Sequence, residues 1–171
     1  MANLRAFSCY RKIKRAYTRK SKYRTKGYIK AVPVSKVIKY HLGSHKKEFP
    51  NQVDLVSKQA IQIRHNAIES ARVSVVRKLT KVLGRNYHFH IRVYPHHVLR
   101  DNKMLTGAGA DRMQTGMQHA FGKAIGIAAQ VKVKQPLFTV HCEKSAIPHV
   151  RDSLRRAVHK LPCKCAVVTV K

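Results

Sequence analysis

The sequence predicts an α+β fold, a two-layer sandwich in which a mixed, largely antiparallel sheet packs against two long helices. Two segments carry apolar residues at the three- and four-residue steps of a helix. Several shorter segments alternate apolar and polar residues, as half-buried strands do. Residues 1–35 show neither period and are strongly basic. They therefore predict an extended arm ahead of one compact domain that spans residues 36–171.

The basic arm combines cations with aromatic rings. Ten of the twenty residues from Arg11 to Lys30 are Lys or Arg, and residues 1–47 contain no acidic residue. A solvated tail is the simpler interpretation. The four tyrosines of the arm favour RNA instead, because their rings can stack on bases; they are Tyr10, Tyr17, Tyr23 and Tyr28. The arm residues that we expect to bind RNA are Arg11, Lys12, Lys14, Arg15, Arg19, Lys20, Lys22, Tyr23, Arg24 and Lys26.

The first half of the compact domain is predicted to hold two strands and a helix. Lys36–His41 has the pattern of a short strand ended by Gly43, and Val53–Ile63 that of a half-buried strand. The clearest helix follows, and Gly84 is well placed to end it. The apolar stripe of that helix is Ile68, Ala71, Val75, Leu79 and Val82.

The next predicted strand is His88–Tyr94, which alternates with a period of two and ends at Pro95. The segment His96–Leu99 continues the pattern and is interpreted as its resumption. Alternation places three residues on the face directed at the core. They are Phe89, Ile91 and Val93.

The last third of the chain predicts three more strands and a second helix. Gly126–Val133 and Leu137–Cys142 are interpreted as two strands joined by a short turn, and Ala166–Val170 as the final strand. Ser145 is a good N-cap for the second helix, and Pro162 ends it. Its apolar stripe is Ile147, Val150, Leu154, Ala157 and Leu161.

The charge balance indicates the class of partner. The 36 Lys and Arg against 7 Asp and Glu give a formal net charge of +29 and a pI near 10.7. A compact chain with that charge repels itself unless a polyanion supplies counter-charge, and nucleic-acid phosphates do so best. The sequence has no apolar run of 18 residues and no signal-peptide pattern, so we expect no membrane partner and a cytoplasmic location.

Catalytic and cofactor motifs are absent from the sequence. Gly107–Arg112 resembles a dinucleotide fingerprint, but Arg112 stands where the third glycine is needed. Gly116–Ala124 resembles a phosphate loop, but it has one residue too many between its glycines and Ala124 in place of Ser or Thr. The seven carboxylates form no short-spaced pair. We therefore expect neither an enzyme nor a bound cofactor.

Histidines and cysteines raise the question of a metal site. The closely spaced histidines are His88, His90, His96 and His97. No carboxylate lies nearby in sequence to orient them, which favours hydrogen bonds to RNA over metal binding. The four cysteines lack a Cys-x-x-Cys pair, so reduced thiols are favoured over zinc. The cysteines are Cys9, Cys142, Cys163 and Cys165.

Residues 100–116 are predicted to be a long flexible loop. The segment contains Gly107 and Gly109, has no regular apolar pattern, and carries three cations. Loops of this length in a compact domain are usually functional or disordered. We expect residues 101–115 to be mobile without RNA, to approach phosphates closely, and to carry out no bond chemistry.

Several segments together resemble one protein family, in the same order along the chain. The most specific is Arg92–Arg100, followed by Asn102-Lys103, Gly107–Arg112 and Ala120–Lys123. Cys9–Arg24 resembles the basic arm of that family, Ile61–Arg72 the entry to its first helix, and His159–Pro162 the end of its second. The family is large-subunit ribosomal protein L16, in its archaeal and eukaryotic form, L10e. The resemblance covers essentially the whole chain, and one departure is His41, where relatives tend to be acidic.

The resemblance implies a hammerhead-type sandwich on large-subunit rRNA, near the peptidyl-transferase region. It also implies that the chain helps to organise the aminoacyl-tRNA site, with rRNA, tRNA and neighbouring ribosomal proteins as partners, and that it is not a homo-oligomer. Further RNA-binding residues are then Arg64, His65, Arg92, His96 and His97. The loop residues expected at the tRNA site are Arg100, Asn102, Lys103, Met104, Gly107, Gly109, Asp111 and Arg112.

Two other classes of protein fit parts of the sequence. A free RNA or DNA chaperone would share the charge, but it would not co-sediment stoichiometrically with the large subunit in moderate salt. An RNA-modifying enzyme would need a cofactor motif or a catalytic constellation, and both candidate glycine loops fail. The structural ribosomal protein is the hypothesis that uses the whole chain.

Overall fold

A computed structural model describes residues 6–18, 23, 25, 29, 31–102, 107–109 and 122–170. Within these ranges the chain forms eight strands, two α-helices and two short 3-10 turns. The strands are β1 (His41–Gly43), β2 (Asn51–Ser57), β3 (Ile61–Arg64), β4 (His88–Ile91), β5 (His97–Asp101), β6 (Lys123–Val131), β7 (Pro136–Cys142) and β8 (Cys165–Val170). The helices are α1 (His65–Leu83) and α2 (Ile147–Val158), and the turns are Phe7–Tyr10 and Lys144–Ala146.

The strands are divided between two sheets. One has five strands in the order β1-β4-β7-β2-β8, and the other has three in the order β3-β6-β5. Every pair of neighbouring strands within the described ranges is antiparallel. The predicted α+β class with largely antiparallel strands is therefore confirmed, and the described strands form two sheets where the sequence predicted one.

Two pairs of consecutive strands connect the sheets, because each pair has one strand in each sheet. Three residues separate β2 from β3, and four residues separate β6 from β7. At the break, the Ser57 amide donates to the Gln135 carbonyl over 3.0 Å, and the Lys134 amide donates to the Ser57 carbonyl over 2.9 Å. The prediction of one half-buried strand over Val53–Ile63 is thus wrong. The segment bends from one sheet into the other, and most of it is buried.

Helix α1 confirms the predicted apolar stripe except at its end. Ile68, Ala71, Val75 and Leu79 are buried in the main core, whereas Val82 is 42% exposed. Gly84 ends the helix with a positive φ of 59° and donates its amide hydrogen to the Thr80 carbonyl over 3.1 Å. A helix stripe rotates slowly relative to a fixed surface, so the fifth position has turned toward solvent.

Helix α2 begins later than the sequence predicts. Ser145 is not the N-cap, because it lies inside the 3-10 turn Lys144–Ala146, and the N-cap position is taken by Ala146, which makes no side-chain capping bond. Pro148 occupies the first turn, where its missing N–H costs nothing. The helix ends at Val158, yet Leu161 beyond it is still buried. Among the described residues, neither helix has the length and apolarity that crossing a bilayer requires.

The outer strands also differ from their predicted bounds. The first strand is His41–Gly43 rather than Lys36–His41. Gly43 has a φ of 90°, and a Cβ atom there would lie 2.1 Å from the Tyr87 carbonyl oxygen, so only glycine fits this turn. Strand β4 ends at Ile91, although Val93 is buried like Phe89 and Ile91, as predicted. The resumed segment is β5, which belongs to the other sheet.

Candidate nucleic-acid interface

Two glutamines hold the basic arm against the three-stranded sheet. Gln62 in β3 and Gln130 in β6 face each other in the strand register, and the Gln130 amide donates to Gln62 Oε1 over 3.0 Å. Gln62 Nε2 donates to the Tyr10 and Lys12 carbonyls over 2.7 and 3.2 Å. Gln130 Nε2 donates to the Lys14 carbonyl over 2.7 Å. These hydrogen bonds therefore hold the backbone of the arm against the three-stranded sheet.

The cationic side chains of this stretch of the arm face outward. Once its carbonyls are bonded to the glutamines, the side chains are the groups that a ligand can reach. Four consecutive cations of this stretch are all exposed. They are Arg11, Lys12, Lys14 and Arg15.

The arm then continues along the edge strand β5. The Tyr17 amide donates to His97 Nδ1 over 2.7 Å, and the Val98 amide donates to the Tyr17 carbonyl over 3.1 Å. The Arg100 guanidinium lies over the Tyr17 ring, 3.9 Å from its centroid, in a cation–π contact. Tyr10 is buried in a small second core with Leu99. Residues 6–18 of the arm therefore pack against the three-stranded sheet.

His97 couples arm docking to pH, because its ring nitrogen must be unprotonated to accept the Tyr17 amide hydrogen. Burial lowers the pKa of His97, and neighbouring His96 and Arg100 lower it further. The undocked state therefore binds more protons as the pH falls. The contribution of the Tyr17–His97 hydrogen bond to arm docking is complete above about pH 6.5, the ordinary pKa of histidine. It is lost as the pH falls toward the lower pKa that His97 has in the docked state.

We expect hydrogen exchange at the Tyr17 amide to report this loss. After correction for the intrinsic pH dependence of amide exchange, the equilibrium constant for opening this hydrogen bond should rise as the pH falls. The rise should be up to about tenfold per pH unit between about pH 6.5 and the lower folded-state pKa of His97. His97→Gln keeps an acceptor but does not titrate, so in this variant the pH dependence should disappear. Equal pH dependence in both proteins would contradict the assignment to His97.

The residues at the start of α1 support the same surface. The Arg64 guanidinium lies 5.9 Å from the centroid of the Phe7 ring, and that of Arg11 lies 5.4 Å from it. His65 Nδ1 accepts the Lys36 amide hydrogen over 3.2 Å. Burial, followed by Lys36 and Arg64, lowers the pKa of His65. The predicted residues Arg64 and His65 thus meet the arm and the segment that follows it.

The other predicted RNA-binding residues lie along the crossing between the two sheets. Arg92 is exposed just beyond β4, and His96 is half-buried, with Nδ1 3.1 Å from the Tyr94 carbonyl. His97 is held by the arm. The suggested grouping of His88, His90, His96 and His97 is not observed, because His88 and His90 belong to β4 and His97 to the three-stranded sheet.

The predicted loop begins later than residue 100. Arg100 and Asp101 are the last residues of β5 and pair with Ala124 and Lys123, so they belong to the sheet. A Cβ atom on Gly122 would lie 2.5 Å from the Asp101 carbonyl carbon. The backbone therefore leaves the sheet after Asn102 and returns to it at Gly122, and these two residues lie next to each other.

Part of the predicted site lies outside the described residues. Gly107 and Gly109 are described, with φ values of 145° and 82° that favour glycine. Tyr23 is described and exposed. The predicted residues outside the described ranges are Arg19, Lys20, Lys22, Arg24, Lys26, Lys103, Met104, Asp111 and Arg112.

Sequence reasoning missed the glutamine pair that positions the arm. Gln62 is buried between Ile61 and Ile63, and its hydrogen-bond partners lie about fifty residues away. A polar residue inside an apolar strand is the one signal available, because a buried amide needs partners. The sequence does not say that those partners are carbonyls of the arm.

The chain is similar to archaeal ribosomal proteins. Residues 13–168 match the family described as ribosomal protein L16p/L10e. The large ribosomal subunit protein uL16 of Methanospirillum hungatei is 49% identical over 157 residues, covering 91% of this chain and 89% of the relative. That of Methanococcus aeolicus is 48% identical over 170 residues, covering 98% and 95%. That of Methanosphaerula palustris is 46% identical over 156 residues, covering 91% and 87%.

Proposed function

The chain belongs to the ribosomal protein L16p/L10e family, and from this membership we propose that it binds large-subunit rRNA through its docked basic arm. It is a structural constituent of the large ribosomal subunit in the cytoplasm, and not an enzyme. Neighbouring ribosomal proteins and rRNA are its partners. The arm of residues 1–35 and the domain of residues 36–171 then divide the work between RNA contact and scaffold.

One observation carries the proposal for the arm. The carbonyls of Tyr10, Lys12 and Lys14 are bonded to buried or half-buried glutamines, while the neighbouring cationic side chains are exposed. A segment held this way presents charge without the entropy cost of ordering its backbone upon binding. Phosphate contacts from Lys and Arg fix position and orientation on RNA rather than sequence. The docked arm is therefore suited to rRNA backbone contact.

The finer role concerns the aminoacyl-tRNA site. We propose that the segment between Asn102 and Gly122 reaches tRNA or the rRNA around it, while the domain is a hammerhead-type sandwich that does not self-associate. The support is the β5–β6 stem, where the Asp101–Lys123 pair and the tight approach of Gly122 hold both ends together. A fixed stem defines where the segment starts, and the segment itself contains the cations Lys103 and Arg112.

The salt dependence of rRNA binding tests the arm. Replacing Arg11, Lys12, Lys14 and Arg15 with alanine removes four exposed cations without touching the glutamine contacts, which are made by the backbone. Each phosphate neutralised adds about 0.7–0.9 to the slope of log affinity against log salt concentration, so the slope should flatten by roughly 3 units. Filter binding to large-subunit rRNA fragments across a salt series measures it.

A matched control separates arm contacts from overall charge. The outer surface of α2 and the turn just after it carry four exposed cations: Arg151, Arg155, Arg156 and Lys160. Replacing these with alanine changes the net charge equally. The slope should flatten much less in this variant. An unchanged slope in the arm variant, or equal flattening in both variants, would mean that the arm does not contact rRNA phosphates.

A further inference from the structure

A group of histidines covers one end of the five-stranded sheet, on the face opposite the helices. Strand alternation places Phe89 and Ile91 of β4 in the core with residues of both helices, so His88 and His90 point to the other face. In the register, His41 pairs with His90, and His88 pairs with His141. Three neighbouring strands therefore bring four histidines from distant parts of the sequence onto one patch.

A fifth histidine joins this patch from the turn after β1. His45 lies in the turn between β1 and β2, with its ring centroid 5.0 Å from that of His88 and 5.5 Å from that of His41. His41 Nδ1 is 3.2 Å from His88 Nε2. One ring nitrogen from each of His41, His45 and His88 lies within 4.8 Å of the other two. The three imidazoles thus converge.

We propose that His41, His45 and His88 form a binding site for one divalent transition-metal ion of the Zn²⁺, Cu²⁺ or Ni²⁺ class. Imidazole nitrogen is a favoured ligand of these ions, whereas Mg²⁺ and Ca²⁺ prefer oxygen ligands, which this group lacks. Three protein ligands leave one coordination position for water or for an oxygen of a neighbouring molecule.

The nitrogen–nitrogen separation fits a shared ion. Two nitrogens that each lie about 2.05 Å from a tetrahedral Zn²⁺ are about 3.3 Å apart. The 3.2 Å between the His41 and His88 nitrogens is close to that value. The ring nitrogen of His45 must approach the other two by up to about 1.5 Å, and its exposed position in a turn allows a change of side-chain rotamer. The site therefore needs one local movement and no change in the sheet.

Two more histidines restrain the ligand rings. His90 stacks on His41 with ring centroids 4.1 Å apart and an interplanar angle of 17°. His141 stacks on His88 at 5.5 Å and 14°. These contacts hold the planes of the two ligand imidazoles, and a preset ring orientation is what supporting groups supply at metal sites. His90 and His141 are positioning residues and not ligands.

The simpler interpretation is a hydrogen bond between two imidazoles. A neutral His41 or His88 can donate its N–H to the other, and this accounts for the 3.2 Å contact alone. It does not account for His45, whose ring meets both. The net charge of +29 repels cations over long distances, but salt screens that field beyond about 10 Å at 0.1 M. Coordinate bonds act within the site.

The test is titration of the full chain, in moderate salt, with Zn²⁺ followed by calorimetry. We expect one equivalent to bind, and we expect His41→Gln, His45→Gln and His88→Gln each to weaken binding at least tenfold. His149→Gln is the matched control, because His149 is exposed on α2, away from the patch, and this variant should bind like the wild type. With Cu²⁺, electron paramagnetic resonance should show coupling to the nitrogens of three imidazoles in the wild type and to fewer nitrogens in His41→Gln.

A stability measurement shows whether the variants remain folded. Without metal, the melting temperatures of the wild type and the three variants should agree, and Zn²⁺ should raise only those of the wild type and His149→Gln, because binding to the folded state stabilises it. The proposal is overturned if the wild type binds no stoichiometric Zn²⁺. It is also overturned if His45→Gln binds as tightly as the wild type, or if His149→Gln weakens binding equally.

Discussion

Replacing Leu79 with alanine is expected to lower the free energy of unfolding of the isolated chain by about 2–5 kcal/mol, the usual cost of truncating a fully buried leucine. Leu79 is 0% exposed and belongs to the core cluster that contains Val75, Phe89 and Ile91. The cost has two parts: the lost burial of the side chain and the cavity left in a close-packed interior. Urea unfolding followed by circular dichroism measures it.

Val82→Ala provides the control within the same helix. Val82 is 42% exposed, and alanine has the higher helix propensity, so the free energy of unfolding should change by no more than about 0.5 kcal/mol. The two substitutions are three residues apart in α1. Comparable losses at both positions would show that the whole helix surface is structural and that the packing described for Leu79 is incorrect.

Deleting residues 103–112 is expected to leave the fold and rRNA docking intact and to impair a late step: subunit maturation or tRNA binding. The β5–β6 stem lies outside the deletion, and residues 113–121 still span the short gap between Asn102 and Gly122. On purified subunits, we expect tRNA affinity at the aminoacyl site to fall about tenfold, equivalent to about 1.4 kcal/mol. Sucrose gradients measure incorporation of the variant, and filter binding measures tRNA.

A length-matched Gly-Ser replacement of residues 103–112 separates chemistry from spacing. It removes Lys103 and Arg112 but keeps the chain length, so it should bind tRNA as poorly as the deletion if the cations matter. Recovery with the replacement would mean that only length is required. Unfolding of the isolated deletion variant would show that the segment supports the fold. Normal incorporation together with normal tRNA binding would leave the segment without the proposed role.

The elements predicted best are those that local patterns determine. The stripe of Ile68, Ala71, Val75 and Leu79 required only helix periodicity, and Gly84 required only its conformational freedom. The alternation of Phe89 and Ile91 likewise follows from one buried face. Where a strand is buried on both faces, apolar and polar residues no longer alternate along it. The pattern of Val53–Ile63 therefore did not indicate that this segment passes from one sheet into the other.

The parts of the site that could not be predicted depend on contacts between distant residues. Charge identified the arm, but its docking depends on Gln62 and Gln130, whose amides bind backbone carbonyls that have no residue-specific signature. The histidine patch needed the register of three strands, because His41, His88 and His141 come from separate segments. Composition thus gave the class of partner, and only the fold gave the geometry.

The placement of β2 has a consequence for how the chain folds during its own synthesis. Strand β2 lies between β7 and β8, and its register pairs Gln52 with Val170 and Ser57 with Cys165. More than a hundred residues separate the paired positions, and such distant pairings slow folding. The large sheet therefore lacks its last strand until β8, the last of the described elements to emerge, has left the exit tunnel. Until then, the nascent chain exposes the apolar strand β2 as a sheet edge together with its positive charge, and this is the interval in which a chaperone has the most to protect.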